Sequence, residues 1–96
     1  MNHDLKEICT RYLAMADSAI EKVREYGPKD SFIETISRDY MKMITGYISD
    51  AHFFFEKGDY VRCLSAVNYA YGWIDAGARF GILDVQGDHV NFTLFK

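Results

Sequence analysis

Asp75 and Arg79 stand four residues apart in the most apolar part of the chain, with Tyr71 one turn before Asp75 and Asn68 a further turn back. On a helix these four share one flank. A partly buried aspartate there has to be paired or hydrogen-bonded, because a bare buried carboxylate costs several kcal/mol. Two uses follow. Asp75 is satisfied structurally by Arg79 or a core tyrosine, or Asp75, Asn68, Tyr71 and Arg79 form a polar pocket for a small ligand such as a metabolite or nucleotide. The remaining reactive side chains do not group. His3, His52 and His89 have no histidine or cysteine three or four residues away, so helical metal-ligand spacing is missing. His52 has carboxylates close in sequence, Asp50 and Glu56, and reads as a surface histidine. Cys9 and Cys63 fall on or beside apolar stripes, where a free cysteine behaves as a small hydrophobe. Ser49 and Ser65 have no evident base to activate them. The expectation is a protein with no catalytic residues, no metal and no cofactor, hence not an enzyme.

The elements that would position these residues are three helices. Leu5, Ile8, Cys9, Tyr12, Leu13, Ala16, Ala19, Ile20 and Val23 recur at three-four spacing, which predicts a first helix over roughly 3–25, stopped by Gly27 and Pro28. Ser31 followed by Glu34 has the form of a capping box, and Ile33, Ile36, Tyr40, Ile44, Tyr47, Ile48, Ala51 and Phe55 carry a second helix over 31–56. Gly58 suits the end of that helix and Asp59 the cap of the next, which runs over 60–80 to Gly81. Short turns make the helices antiparallel in sequence order, an up-down-up bundle in an all-α single domain.

The third helix is apolar on two sides. Tyr60, Leu64, Val67, Tyr71, Ile74 and Ala78, with Cys63 beside them, form the expected core stripe. Tyr69, Trp73, Ala76 and Phe80 form a second stripe on the opposite side. Gly72 and Gly77 sit inside the helix against propensity and, with Ala66, Ala70, Ala76 and Ala78, make a small-residue surface open to close approach.

The block from Gly58 to Asp84, above all YAYGWIDAGARFGILD from Tyr69, resembles the signature of the archaeal DUF357 family. The resemblance implies a small three-helix bundle and brings no known activity. A comparison with the HEPN ribonucleases and toxins fails on its motif, an arginine closely followed by a histidine: Arg38 precedes His52 by 14 positions and Arg79 precedes His89 by 10.

The net charge of −3, with eleven basic residues interleaved among fourteen acids, lacks the basic patch of a nucleic-acid binder. Without a signal peptide or an apolar run of membrane-spanning length, the chain is expected to be cytoplasmic and to bind no membrane. The tail, 82–96, changes to alternation at Val90, Phe92 and Leu94, an extended pattern with Ile82 to Val85 as the other arm of a very small hairpin. Tyr69, Trp73, Phe80, Phe53 and Phe92 are the candidate interface residues. The second stripe is expected to be covered by the tail or by another copy of the chain, since soluble monomers rarely leave such a patch bare. The reading is therefore an interaction or oligomerisation module, its partner itself in a homodimer or another protein. The alternative is the small-ligand protein built around Asp75.

Overall fold

Side-chain caps start two of the three helices. The computed structural model describes residues 2–86, with side chains from residue 4 on, and in it α1 spans Asn2–Ile20, α2 Phe32–Glu56 and α3 Tyr60–Arg79. Ser31 Oγ accepts from the Glu34 amide at 3.1 Å, while the Glu34 carboxylate accepts from the Asp30 amide at 2.8 Å. Asp59 accepts from the Arg62 amide at 3.1 Å. Gly58, at φ 77°, lets α2 turn into α3 within two residues of its C-cap.

The first helix ends earlier than its periodicity predicts. It stops at Ile20 instead of Glu25, and Arg24–Glu25 forms a short strand, β1, antiparallel to β2 at Leu83–Asp84. The physical reason for the difference is Val23, which continues the apolar spacing from beyond the end of the helix and is 1% exposed. Leu83–Asp84, within the arm Ile82 to Val85 of the hairpin expected in the tail, takes a partner from the α1–α2 connection. The arm at Val90 to Phe95 lies outside the described residues.

The core is drawn from positions seven apart. Cys9, Ala16 and Val23, then Ser37, Ile44 and Ala51, then Cys63, Ala70 and Gly77 are all buried, one such row from each helical region. This is the spacing with which helices keep one seam toward their neighbours. In α3 the buried line runs along Cys63, Ala66, Val67, Ala70, Ile74 and Gly77, and Tyr60, Leu64, Tyr71 and Ala78 are only partly buried. The expected stripe thus supplies Cys63, Val67 and Ile74 to the buried line, and its other members form the edge of the core. Small residues occupy its centre because α3 has neighbours on both sides. Its Cys63 and Tyr71 edge meets α1, where the rings of Tyr12 and Tyr71 lie 6.4 Å apart. Its Tyr69 and Trp73 edge meets α2.

Burial dominates the energetics. Ile44, Ile74, Val23 and Val67 are the largest aliphatic side chains wholly removed from water, each worth about 1.5–3 kcal/mol. The Arg38–Glu25 and Arg38–Glu34 ion pairs, at 3.7 and 3.3 Å with Arg38 well exposed, are worth at most about 1 kcal/mol each.

Ser37 is the buried polar exception, and its Oγ accepts from the Tyr26 amide at 2.8 Å, tying the strand–helix connection to α2. Ser37→Ala is expected to lower stability by about 1–3 kcal/mol, the cost of leaving a buried donor without its acceptor. Urea denaturation checks this, and Ser37→Thr, which keeps the oxygen, should recover part of the loss.

Candidate functional site

The flank of α3 that carries Tyr71 and Asp75 is only partly assembled into a site. Asp75 Oδ2 lies 3.6 Å from Arg79 Nη2, the i,i+4 pair expected from spacing, with about a third of each side chain exposed. The other carboxylate oxygen, Oδ1, is buried without a hydrogen-bond partner among the described residues, and so is the Tyr71 hydroxyl. Asn68 is exposed and makes no hydrogen bond among the described residues, so the structure does not bring it to Asp75. The four residues therefore divide into one surface amide, one half-buried ion pair and one buried phenol.

Tyr71 lines a cleft that spacing alone did not reveal. The cleft has a volume of about 330 Å³ and lies along α1, bounded by Arg11, Ala14, Met15, Ser18, Ala19 and Lys22, with Tyr71 as the contribution of α3. Of these, Arg11, Ala14, Met15 and Ser18 recur at three-four spacing on α1 and lie off its apolar stripe, and Lys22 follows the end of the helix. Only the proximity of α3 gives them a wall. The Tyr71 hydroxyl is pushed up from 10.0 to about 12, first by burial and then by the nearby Tyr12 and Asp17. It is a protonated donor at any ordinary pH.

A larger recess of about 520 Å³ lies on α2 beside β1, lined among others by Glu25, Thr35, Arg38, Asp39 and Thr45. Several of its polar groups are already engaged. Thr35 and Thr45 donate to carbonyls of their own helix, and Arg38 reaches both Glu25 and Glu34.

His52 pairs across helices, with Nε2 2.9 and 3.1 Å from the two carboxylate oxygens of Asp17. Its partner is thus on α1, where the carboxylates near it in sequence, Asp50 and Glu56, had been expected. Cys9 and Cys63 are wholly buried near each other, and Cys9 Sγ donates to the Tyr60 carbonyl at 3.2 Å. Burial first, and then Cys9 beside it, push the Cys63 thiol from 9.0 to about 12. Among the described residues no three histidine, cysteine or acidic side chains come together as metal ligands, and no helix is long and apolar enough to cross a membrane.

The candidate interface residues lie along the α2–α3 seam. Tyr47 and Tyr69 stack at 4.6 Å, and Tyr40 meets Trp73 edge-on at 4.8 Å. Trp73 is half-buried by this contact, although its indole N–H finds no acceptor among the described residues. Tyr69, Phe80 and Phe53 remain 59%, 73% and 56% exposed. Phe53 packs edge-on against Phe54, with Lys57 over its ring. Phe92 lies outside the described residues. Part of the cover expected from the tail or a second copy thus comes from α2.

Such a bundle, with aromatic pairs on one seam and a cleft on the other, defines a small all-α domain. The chain belongs to the DUF357 family: residues 11–83 match the family described as "Protein of unknown function (DUF357)". It is similar to the crystal structure of protein AF1782 from Archaeoglobus fulgidus, also of DUF357, with 25% identity and a TM-score of 0.72 over 86% of this chain and 95% of that one. No curated protein matches.

The two raised groups set a pH dependence. Cys63 and Tyr71 ionise in the unfolded chain near their ordinary 9.0 and 10.0, but in the fold only near 12. Their contribution is complete below pH 9 and is lost as pH rises toward 12. The urea midpoint is expected to fall across that window. A Cys63→Ala, Tyr71→Phe double variant should show a shallower fall.

Proposed function

We propose that the protein is a non-enzymatic cytoplasmic interaction module whose partner is a second copy of itself, docked through the α2–α3 face. The observation that carries this reading is the half-finished aromatic seam. Tyr40 and Tyr47 cover one side of Trp73 and Tyr69, while the outer side of Tyr69 and about three-quarters of Phe80 stay in water. Aromatic residues left out at this density characterise association surfaces. Gly72 falls between Tyr69 and Ala76 on the same side of α3, and an added Cβ there would meet nothing within 4 Å among the described residues. The face is low enough at that point for another helix to approach closely. An isologous contact would lay this row on its own copy about a two-fold axis and close the assembly at a dimer.

A second reading, a small-ligand protein with a polar pocket near Asp75, is supported by the buried, unpartnered Asp75 Oδ1 and Tyr71 hydroxyl.

Light scattering over a concentration series tests the first reading. The mass is expected to rise from 11.1 kDa toward twice that value. Tyr69→Glu and Phe80→Ser should hold it at the monomer without lowering the melting temperature of the dilute protein. A mass that stays monomeric into the millimolar range would contradict self-association.

A further inference from the structure

We infer that the segment of this chain after Gln86, through Val90, Phe92 and Leu94, lies back along the α1–α3 cleft of its own protomer. The inference goes beyond self-association, which uses the other side of α3. It also offers Tyr71 and Asp75 a partner within the chain, where the small-ligand reading offers them a ligand.

The point of departure selects the cleft. The Gln86 side chain donates to the Lys22 carbonyl at 2.6 Å, and Lys22 lines the cleft. Gln86 itself is left-handed at φ 57°, with its amide donating to Asp84 Oδ1 at 2.8 Å, so the chain is turning where it leaves β2. The exposed Tyr69 belongs to the other side of α3, where it stacks on Tyr47 of α2, whereas Gln86 is held at the end of α1. Length and pattern agree with that exit. On α1 the cleft runs from Ala19 back to Arg11, about 12 Å along the helix axis. Val90 to Leu94 spans about 13 Å when extended, with Gly87, Asp88 and His89 left as the connection. Val90, Phe92 and Leu94 then share one face, and the cleft offers them Ala14, Met15, Ala19 and the Tyr71 ring. Met15, at 51%, is the large apolar side chain of α1 left exposed among the described residues.

Two buried polar atoms point the same way. The Tyr71 hydroxyl, a donor, and Asp75 Oδ1, an acceptor, have no hydrogen-bond partner among the described residues, and they stand one turn apart on the same edge of α3. Buried polar groups in native proteins are nearly always paired. An extended segment brings both kinds of partner, since every residue but proline carries an amide and a carbonyl. The charges at the cleft favour an uncharged occupant. Arg11 has Glu7 one turn before it, Lys22 has Glu21 beside it, and Asp17 lies near the Tyr71 phenol. A free anion would meet those acids, whereas residues 90–95 carry no charge. A peptide carbonyl accepts from the phenol without placing a second negative charge beside Asp17, and a peptide amide donates to Asp75.

Two measurements on the full chain test the placement. In the parent protein with methyl-labelled methionine, the Met15 methyl should show nuclear Overhauser contacts to the Phe92 ring. A mixture of differently labelled chains should show that those contacts lie within one protomer. In thermal melts of the dilute protein, Phe92→Ala is expected to lower the melting temperature by about 4–8 °C. Met15→Ala with Phe92→Ala should lose less than the sum of the two single losses, because residues in contact couple. Phe80→Ala with Phe92→Ala should lose the full sum. An unchanged melting temperature in Phe92→Ala would overturn the inference, and so would coupling of Phe92 to Phe80 in place of Met15. Met15 to Phe92 contacts that are missing, or that occur only between chains, would overturn it as well. If Phe92→Ala does not fold, the contacts in the parent decide. The light-scattering mass of Phe92→Ala should equal that of the parent, so self-association stands or falls separately.

Discussion

The fold closes at one end because residue 77 has no side chain. A Cβ on Gly77 would fall within 2.6 Å of Leu83 Cγ, closer still to its Cδ1, and 3.2 Å from the Tyr40 ring. Leu83 occupies that space and is itself buried. Around this contact the chain turns out of α3, with Gly81 at φ 73° and the Ile82 amide donating to the Gly77 carbonyl at 2.8 Å. Leu83 then pairs with Glu25, Asp84 with Arg24, and the Gln86 side chain donates to the Lys22 carbonyl at 2.6 Å. Tyr26, next after β1, is held to Ser37. One close approach thus joins the exit of α3, the exit of α1 and the first turns of α2.

From that closed end the two sides of α3 diverge in character. Toward α2 it presents large rings that meet other large rings, so the seam fills with Tyr40, Trp73, Tyr47 and Tyr69 and leaves aromatic edges outside. Toward α1 the central contacts are small, Cys9 with Cys63, and beyond them a single phenol, Tyr71, spans the gap to Tyr12. Rings overfill one seam and alanines underfill the other. The association surface and the cleft follow from that difference in side-chain volume.

Three helices, their caps and their order are legible in the sequence because capping chemistry and three-four spacing are local. Ser31, Asp59, Gly58 and Gly81 act where their types predict. The end of α1 is not legible, since Val23 keeps helical spacing outside the helix and the partner of the strand that follows it, Leu83–Asp84, lies sixty residues on. Cys63, Val67 and Ile74 of the buried line of α3 are legible, and the other half is missed for a similar reason. Hydrophobicity favours Tyr60, Leu64 and Tyr71 as its centre, whereas a helix wedged between two others buries its smallest residues, Ala66, Ala70 and Gly77. Of the candidate site, the Asp75–Arg79 pair follows from i,i+4 spacing. The α1 wall of the cleft does not, because Arg11, Met15 and Lys22 look like an ordinary solvated face until another helix stands beside them.

The account rests on Gly77 as a point of contact, and the most direct measurement compares alanine there with alanine at Gly72, where an added Cβ meets nothing within 4 Å among the described residues. Both changes carry the same helix-propensity gain of up to ~1 kcal/mol. In paired urea denaturations, Gly72→Ala should raise the midpoint by that gain. Gly77→Ala should lower it by about 1–3 kcal/mol, as overpacking a filled site does. Equal stabilisation by the two changes would contradict the account, for it would mean that Leu83 does not rest on α3 and the end of the bundle is not closed there.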